Sequence, residues 1–241
     1  MGWAWVGVFG VVALASAAQT VSGFGFALIA TPLVAVLVGP KEAVVGLTIV
    51  GVLLTAQLWL RDRGSVRRST VAMITISALV GMPLGVLVLI RADERTLTVL
   101  IAVAVIAFAL LLWRGLRLPA RPATDAAAGF TAGVLSTSTG TSGPPIVIAL
   151  SGKEMGPPEF RSTISLIFLI HSCVALAFFA LTRQVTADAV SVALAGLPGV
   201  LLGSFAGERQ FRRLDHAAFR KVVLAMLLLS GLVALAGALF S

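Results

Sequence analysis

The chain has 241 residues, of which 59% are hydrophobic and only 12% are charged, and its mean hydropathy is +1.05. A soluble domain of this size carries about 25% charged residues, so this composition predicts an integral membrane protein. The formal net charge of +8 does not indicate nucleic-acid binding, because the arginines cluster in short loops between apolar runs. The single cysteine, Cys173, excludes an internal disulfide and a cysteine metal cluster.

Apolar runs and their interruptions predict an all-α polytopic fold in two halves joined by a linker over 115–125. The unbroken runs have roughly 17–23 residues, enough to span ~30 Å of hydrocarbon at 1.5 Å per residue. The first run ends in a sequence that resembles a signal-peptidase site but lacks the basic residues that precede one, so we expect it to be kept. The first half, 1–114, is predicted to contain a hairpin over 3–38 and helices over 43–60, 70–90 and 96–113. The second half, 126–241, is predicted to contain a hairpin over 126–151 and helices over 160–182, 186–206 and 218–240.

The distribution of arginines predicts the orientation of the chain in the membrane. The basic loops 61–68, 114–125 and 207–217 are expected in the cytoplasm, and the loops 91–95 and 183–185 outside. Both ends of the segment 126–151 then lie on the cytoplasmic side, so this segment must enter and leave the membrane as a hairpin. Counting membrane crossings in the same way makes the first segment, 3–38, a hairpin that enters from outside. Each half is a hairpin plus three spans, an odd number, and the two halves therefore face opposite ways.

Identities between the halves support an inverted repeat. When the first half is shifted by 117 residues, a Gly-Pro-x-Glu sequence starting at Gly39 falls on the same sequence starting at Gly156. Hydroxyl residues also coincide, since Thr48 falls on Ser165 and Thr55 falls on Ser172. We therefore predict two copies of one unit, each a glycine-broken helical hairpin followed by three transmembrane helices.

Two polar breaks interrupt the predicted hairpins, one from Ser22 to Phe26 (the first break) and one from Ser136 to Pro145 (the second break). Paired broken segments in two halves of a membrane protein indicate a transporter's binding site. Helix N-termini that follow such breaks offer free amides and a partial positive charge, which together with hydroxyls can hold an anion. An alternative is that the small residues only allow close helix packing. The residues that we predict to form the site at the breaks are Gly23, Phe24, Gly25, Ser138, Thr139, Gly140, Thr141, Ser142 and Gly143.

Polar side chains elsewhere in the spans add candidates for the same site. Gln19 is expected to face inward because an amide in lipid is costly. The faces marked by Thr48, Thr55, Ser165 and Ser172 are expected to look at the breaks, or else to donate to the carbonyl of the preceding turn. His171, an ionisable residue inside a predicted span, either carries a coupled proton or is a neutral packing residue. Lys41 and Arg161 are expected to anchor helix starts at the membrane interface.

The sequence also resembles a known transporter family. The segment from Gln19 to Leu33, with Gly39-Pro40-Lys41-Glu42-Ala43 after it, is similar to the first-half signature of the sulfite exporter TauE/SafE family, the toluene-sulfonate uptake permeases. Gly129-Phe130-Thr131-Ala132-Gly133 and the segment from Gly140 to Pro145 resemble its repeated glycine motif, although serine and threonine replace several glycines here. The resemblance implies a multi-pass protein of the bacterial inner membrane that transports small anions such as sulfite or sulfonates, usually in export.

These observations predict a secondary transporter of a small anion that works by alternating access around the two breaks. A passive anion channel built on the same helix ends is the alternative. No nucleophile elbow, zinc-protease motif or pair of intramembrane aspartates is present, so we expect no enzymatic activity. No Walker motif, cofactor or metal site is indicated either. The expected partners are the anion, the lipid bilayer and a coupling proton, with a homodimer left open.

The orientation can be tested by cysteine labelling in a Cys173→Ala background. A cysteine introduced at Ser65, in the basic loop 61–68, should react with a membrane-impermeant reagent only after the cells are broken, because this loop is predicted to be cytoplasmic. A cysteine at Gln184, in the loop 183–185, should react in intact cells. Labelling of position 65 in intact cells would reject the orientation.

Overall fold

A computed structural model of the protein describes residues 2–62, 64–116, 118–211, 225 and 228–237. Six helices of the described residues are long and apolar enough to cross a membrane, which confirms the prediction of an all-α polytopic fold. The predicted helix over 218–240 lies only partly within the described residues. The helices are α1 (Gly2–Ser22), α2 (Phe26–Val38), α3 (Pro40–Arg61), α4 (Arg68–Arg91), α5 (Glu94–Trp113), α6 (Pro122–Ser138), α7 (Gly143–Ser151), α8 (Pro157–Leu181), α9 (Ala187–Phe211) and the short α10 (Leu228–Gly237).

Prolines set the starts of several helices. Pro40, Pro122 and Pro157 occupy the first turns of α3, α6 and α8, where no intrahelical amide donor is needed. Gly39 separates α2 from α3 with a φ of 99°, and its own amide still donates to Ala35. This conformation requires glycine, and it lets the chain reverse without a loop.

Two pairs of helices pack closely and in parallel, α1 with α9 and α4 with α6. In the first pair Gly199 lies against Phe9 and Gly207 against Ala17, each with a carbonyl oxygen 2.7 Å from where a Cβ would lie. In the second pair Gly85 lies against the backbone of Val134. Glycine at such contacts lets two backbones approach, and close packing is the main attraction between helices in lipid.

The central helices α3 and α8 are antiparallel, and their contacts define an inner end of the molecule. Asp62, just after α3, binds Arg161 near the start of α8, and Gly51 in mid-α3 lies opposite Ser172. The described residues of the loops 61–68 and 114–121 lie at this inner end, as does the last turn of α9, where Arg61 binds Glu208.

These contacts also give the directions of six helices. α1, α3 and α9 run toward the inner end, whereas α4, α6 and α8 run away from it. The first helices of the two hairpins, α1 and α6, therefore run in opposite directions, as an inverted repeat requires. Whether the inner end faces the cytoplasm, and whether the halves are copies of one unit, remain predictions.

A buried ion pair closes the base of the second hairpin at the inner end. Lys153, after α7, lies 2.8 Å from Asp125 in the first turn of α6, and both side chains are less than one-tenth exposed. Gly152 beside it packs directly on the backbone of Leu118 in the linker. The two arms of this hairpin are thus held together at the inner end.

The glycine contacts predict which substitutions destabilise the protein. Gly85→Ala should force α4 away from α6, because its Cβ would overlap the carbonyl of Val134. We expect a loss of about 1–3 kcal/mol, the usual cost of overpacking, and a lower thermal midpoint in detergent. Gly10→Ala is the matched control, since nothing lies within 4 Å of a Cβ at Gly10. Equal midpoints for the two variants would contradict the close α4–α6 contact.

Candidate functional site

The two breaks meet at a cavity of about 60 Å³ in the centre of the helix bundle. A buried site needs only about 10–15 Å³ of such volume to hold a water, so this cavity has room for a small anion. Helices from both halves contribute to it. Its lining residues are Gln19, Gly25, Phe26, Ala27, Leu28, Thr31, Val44, Leu47, Thr48, Gly51, Thr55, Ser136, Gly140, Ser142, Gly143, Phe168 and Ser172.

Glycines shape both breaks. Gly25, which precedes α2, has a φ of 107°, and Gly140, between α6 and α7, has a φ of 71°. Side chains other than glycine rarely adopt these values, so both turns require glycine. Gly140 also approaches the first half closely, because a Cβ there would lie 3.3 Å from the Thr31 hydroxyl.

The first break exposes fewer amides than the sequence suggests, because a side chain already binds one of them. The Phe26 amide donates to Oε1 of Gln19 at 3.0 Å, so Gln19 in α1 caps the N-terminus of α2. The NH₂ group is then the remaining polar group of this side chain, which lines the cavity. Ala27 and Leu28, in the first turn of α2, also line the cavity. Like all first-turn amides, theirs have no carbonyl within the helix to bind.

The N-terminus of α7 offers few amides for a different reason. Pro144 and Pro145 occupy its first turn and have no N–H, so Gly143 supplies the only amide among the first three residues of this helix. The two helix ends are therefore unequal as anion sites. Side-chain donors must carry more of the binding at the second break than at the first.

Eight of the predicted site residues line the cavity, and six do not. Ser138 and Thr139 lie in or just after the last turn of α6 and donate back to Val134 at 2.7 Å and to Leu135 at 3.0 Å. Thr141 lies 2.7 Å from the Thr139 hydroxyl. The residues brought together at the cavity are Gln19, Gly25, Thr48, Thr55, Gly140, Ser142, Gly143 and Ser172, and those outside its lining are Gly23, Phe24, Ser138, Thr139, Thr141 and Ser165.

Two lining hydroxyls were missed from the sequence. Thr31 lies in α2 directly before Pro32, and only the fold shows that it faces Gly140. Ser136 lies in α6, 117 residues after Gln19, so the repeat offset could have identified it.

The lining hydroxyls divide into two groups by what they bind. Thr48 and Thr55 donate to the carbonyls of Val44 and Gly51, each at 2.7 Å, so their hydrogens are in use. Among the described residues, the other four hydroxyls have no hydrogen-bond partner and can donate to a ligand; these are Thr31, Ser136, Ser142 and Ser172. No charged side chain is among the residues that line the cavity.

Many of the lining residues are separated in the sequence by the same offset of 117 residues. Ten of them form five pairs at this offset. The pairs are Gln19 with Ser136, Gly25 with Ser142, Phe26 with Gly143, Gly51 with Phe168, and Thr55 with Ser172. The cavity thus lies where corresponding segments of the two halves face each other.

Comparison with known proteins shows the family of the chain. The family profile described as sulfite exporter TauE/SafE matches residues 8–234, nearly the whole chain. The chain belongs to the sulfite exporter TauE/SafE family. A probable sulfite/organosulfonate exporter TauE from Cupriavidus necator is 27% identical over 221 residues, which cover 87% of this chain and 85% of the relative. No solved structure matches the chain.

His171 lies beside this TauE/SafE-family cavity but outside its lining. It is 1% exposed on the buried face of α8, next to Ser172. Among the described residues, neither ring nitrogen has a hydrogen-bond partner. A buried imidazole without a hydrogen-bond partner is costly.

Proposed function

We propose that this protein exports a small sulfur oxyanion, sulfite or an organosulfonate, by alternating access around the cavity between the two breaks. The observation that carries the proposal is the cavity itself, where both breaks meet and uncharged donors without partners are concentrated. The name of the Cupriavidus necator relative, a probable sulfite/organosulfonate exporter, supports this class of substrate.

The donors suit an oxyanion with several oxygens. Ser136, Ser142 and Ser172 surround the space that the Gln19 NH₂ group also lines, and Thr31 faces it from α2. Each hydrogen bond to a charged oxygen contributes about 1.5–3 kcal/mol. The dipole of α2 adds a partial positive charge near Phe26, where the helix begins. Together these groups favour an anion over a cation or a neutral solute.

Alternating access is supported by the helix directions and by the ion pairs. α1 and α6 run in opposite directions, and each packs in parallel on a helix of the other half. Three ion pairs join the halves at the inner end, namely Arg61–Glu208, Arg67–Glu159 and Asp62–Arg161. Among the described residues, no ion pair joins the halves at the opposite end. Rocking of the halves about the cavity would break these contacts on one side only.

The Gln19→Glu variant tests the binding site. Glutamate has the same size and keeps an oxygen that can cap the Phe26 amide, so the fold should survive. It replaces the NH₂ donor with a negative charge inside the cavity, and we expect sulfite binding and transport to fall by at least about tenfold, which corresponds to 1.4 kcal/mol.

The control for this test separates capping from charge. Gln19→Met removes the cap without adding charge, so it should lower the thermal midpoint but weaken sulfite binding less than the glutamate does. Transport is measured in proteoliposomes as exchange of labelled for unlabelled sulfite. Acceleration of this exchange by sulfite on the far side indicates a carrier, and its absence indicates the channel alternative. A glutamate variant that folds and binds sulfite like the original protein would place the site elsewhere.

We also propose that His171 carries a proton that is coupled to transport. It is buried, lacks a partner in the described residues and adjoins the cavity residue Ser172. His171→Gln should keep sulfite binding but remove the dependence of flux on a proton gradient, because glutamine cannot exchange a proton. Flux is measured in proteoliposomes at several imposed gradients. If the flux of the variant still depends on the proton gradient as in the original protein, His171 is a packing residue.

A further inference from the structure

Arg161 lies directly behind the first break, on the side of the inner end. Its Cγ is 3.7 Å from where a Cβ on Gly23 would lie, and its Nη2 donates to the carbonyl of Thr20 at 3.2 Å. The same guanidinium binds the Asp62 carboxylate through Nε at 3.0 Å and Nη2 at 2.9 Å. A cation is thus in contact with the last turn of α1, which carries the cavity residue Gln19.

The second break rests on a different kind of residue. Gly140 contacts Val44, with 3.8 Å between a Cβ at Gly140 and Val44 Cγ1. Val44 and Arg161 are 117 residues apart, so each break lies on the corresponding position of α3 or α8. A valine is sufficient to support one break, and packing alone therefore does not require the arginine at the other.

Arg161 also differs from the other arginines that join the halves. Its side chain is 14% exposed, compared with 36% for Arg61 and 34% for Arg67. Removing such an ion pair from water costs free energy that the attraction between the charges often does not recover. The presence of this less exposed pair is therefore not explained by stability alone. A role in attracting the anion that the nearby cavity binds would explain it.

We propose that Arg161 is an anion subsite on the inner side of the first break, where a sulfur oxyanion displaces Asp62 on its way to the cavity. The inference rests on the proposed function. Asp62 Oδ2 accepts a hydrogen bond from Nε and lies 2.9 Å from Nη2 of the same guanidinium, and an oxygen of sulfite or a sulfonate can take its place. Displacement also frees α3 from α8 at the inner end, so binding of the anion opens its path.

Exchanging the two charges separates this role from a structural one. The double variant Asp62→Arg with Arg161→Asp restores an ion pair between the same helices but puts a negative charge behind the first break. We expect it to keep the equilibrium affinity of the cavity for sulfite in detergent. Inside-out vesicles expose the predicted cytoplasmic side, and with it the inner end, to the medium. The kcat/KM of the double variant for sulfite added to this medium should fall by at least about tenfold, since electrostatic attraction raises association rates by that much or more.

The matched control exchanges the charges of an exposed pair at the same end. Arg61→Glu with Glu208→Arg should transport at the original rate, because both side chains are at least about one-third exposed and neither lines the cavity. A double variant at 62 and 161 that transports sulfite as well as this control would overturn the subsite. Loss of sulfite binding to the cavity in detergent would contradict the assignment too, by making Arg161 part of the cavity rather than a separate subsite. Absence of sulfite binding by the unmodified protein would instead reject the proposed function.

A single substitution decides the matter if the exchanged variant does not fold. Asp62→Asn leaves Arg161 without its carboxylate, so sulfite should bind there more readily and raise the thermal midpoint by more than it does in the original protein. A purely structural pair predicts the same protection by sulfite in both proteins. Equal protection would therefore overturn the proposal.

Discussion

The need to satisfy backbone polar groups inside the membrane governs this structure. A broken helix leaves amides and carbonyls without partners, and lipid offers none. At the first break the Gln19 side chain binds the Phe26 amide, and at the second break two prolines remove the amides that would otherwise need partners. Both breaks are buried among helices of the other half, so the protein itself replaces water around them. The cavity is the space that remains between the two breaks.

Close helix packing makes such burial possible. Glycines along α9 and α4 let these helices lie directly on α1 and α6, the helices that carry the breaks. Each break is therefore held by a helix that reaches it from the other half.

The sequence predicted the membrane fold and the positions of both breaks, because apolar length, glycine and proline act locally. It could not predict which hydroxyls face the cavity. Ser138 and Thr139 donate to their own helix, whereas Ser142 in the same polar segment lines the space, and only the rotation of each residue around the break separates them. The sequence also could not show that Gln19 caps α2, because this contact depends on how α1 and α2 pack against each other. The expectation that Arg161 anchors α8 at the membrane interface stays a prediction, and its contacts with Thr20 and Gly23 could not be read from the sequence because they depend on where α1 ends.

The separation of neutral donors from charges has a physical consequence for transport. A fixed cation about 4 Å from a bound anion, at an effective dielectric constant of about 20, would add roughly 4 kcal/mol of attraction and slow release by about three orders of magnitude. Uncharged donors such as Ser136 and the Gln19 NH₂ group avoid this, and after release they leave no unpaired charge in the membrane. Arg161 already binds Asp62, and in the proposed function it lies next to the path and exchanges this carboxylate for the arriving anion. In the proposed function, the charge of Arg161 therefore attracts the anion as it arrives, and the uncharged donors of the cavity bind it weakly enough for release.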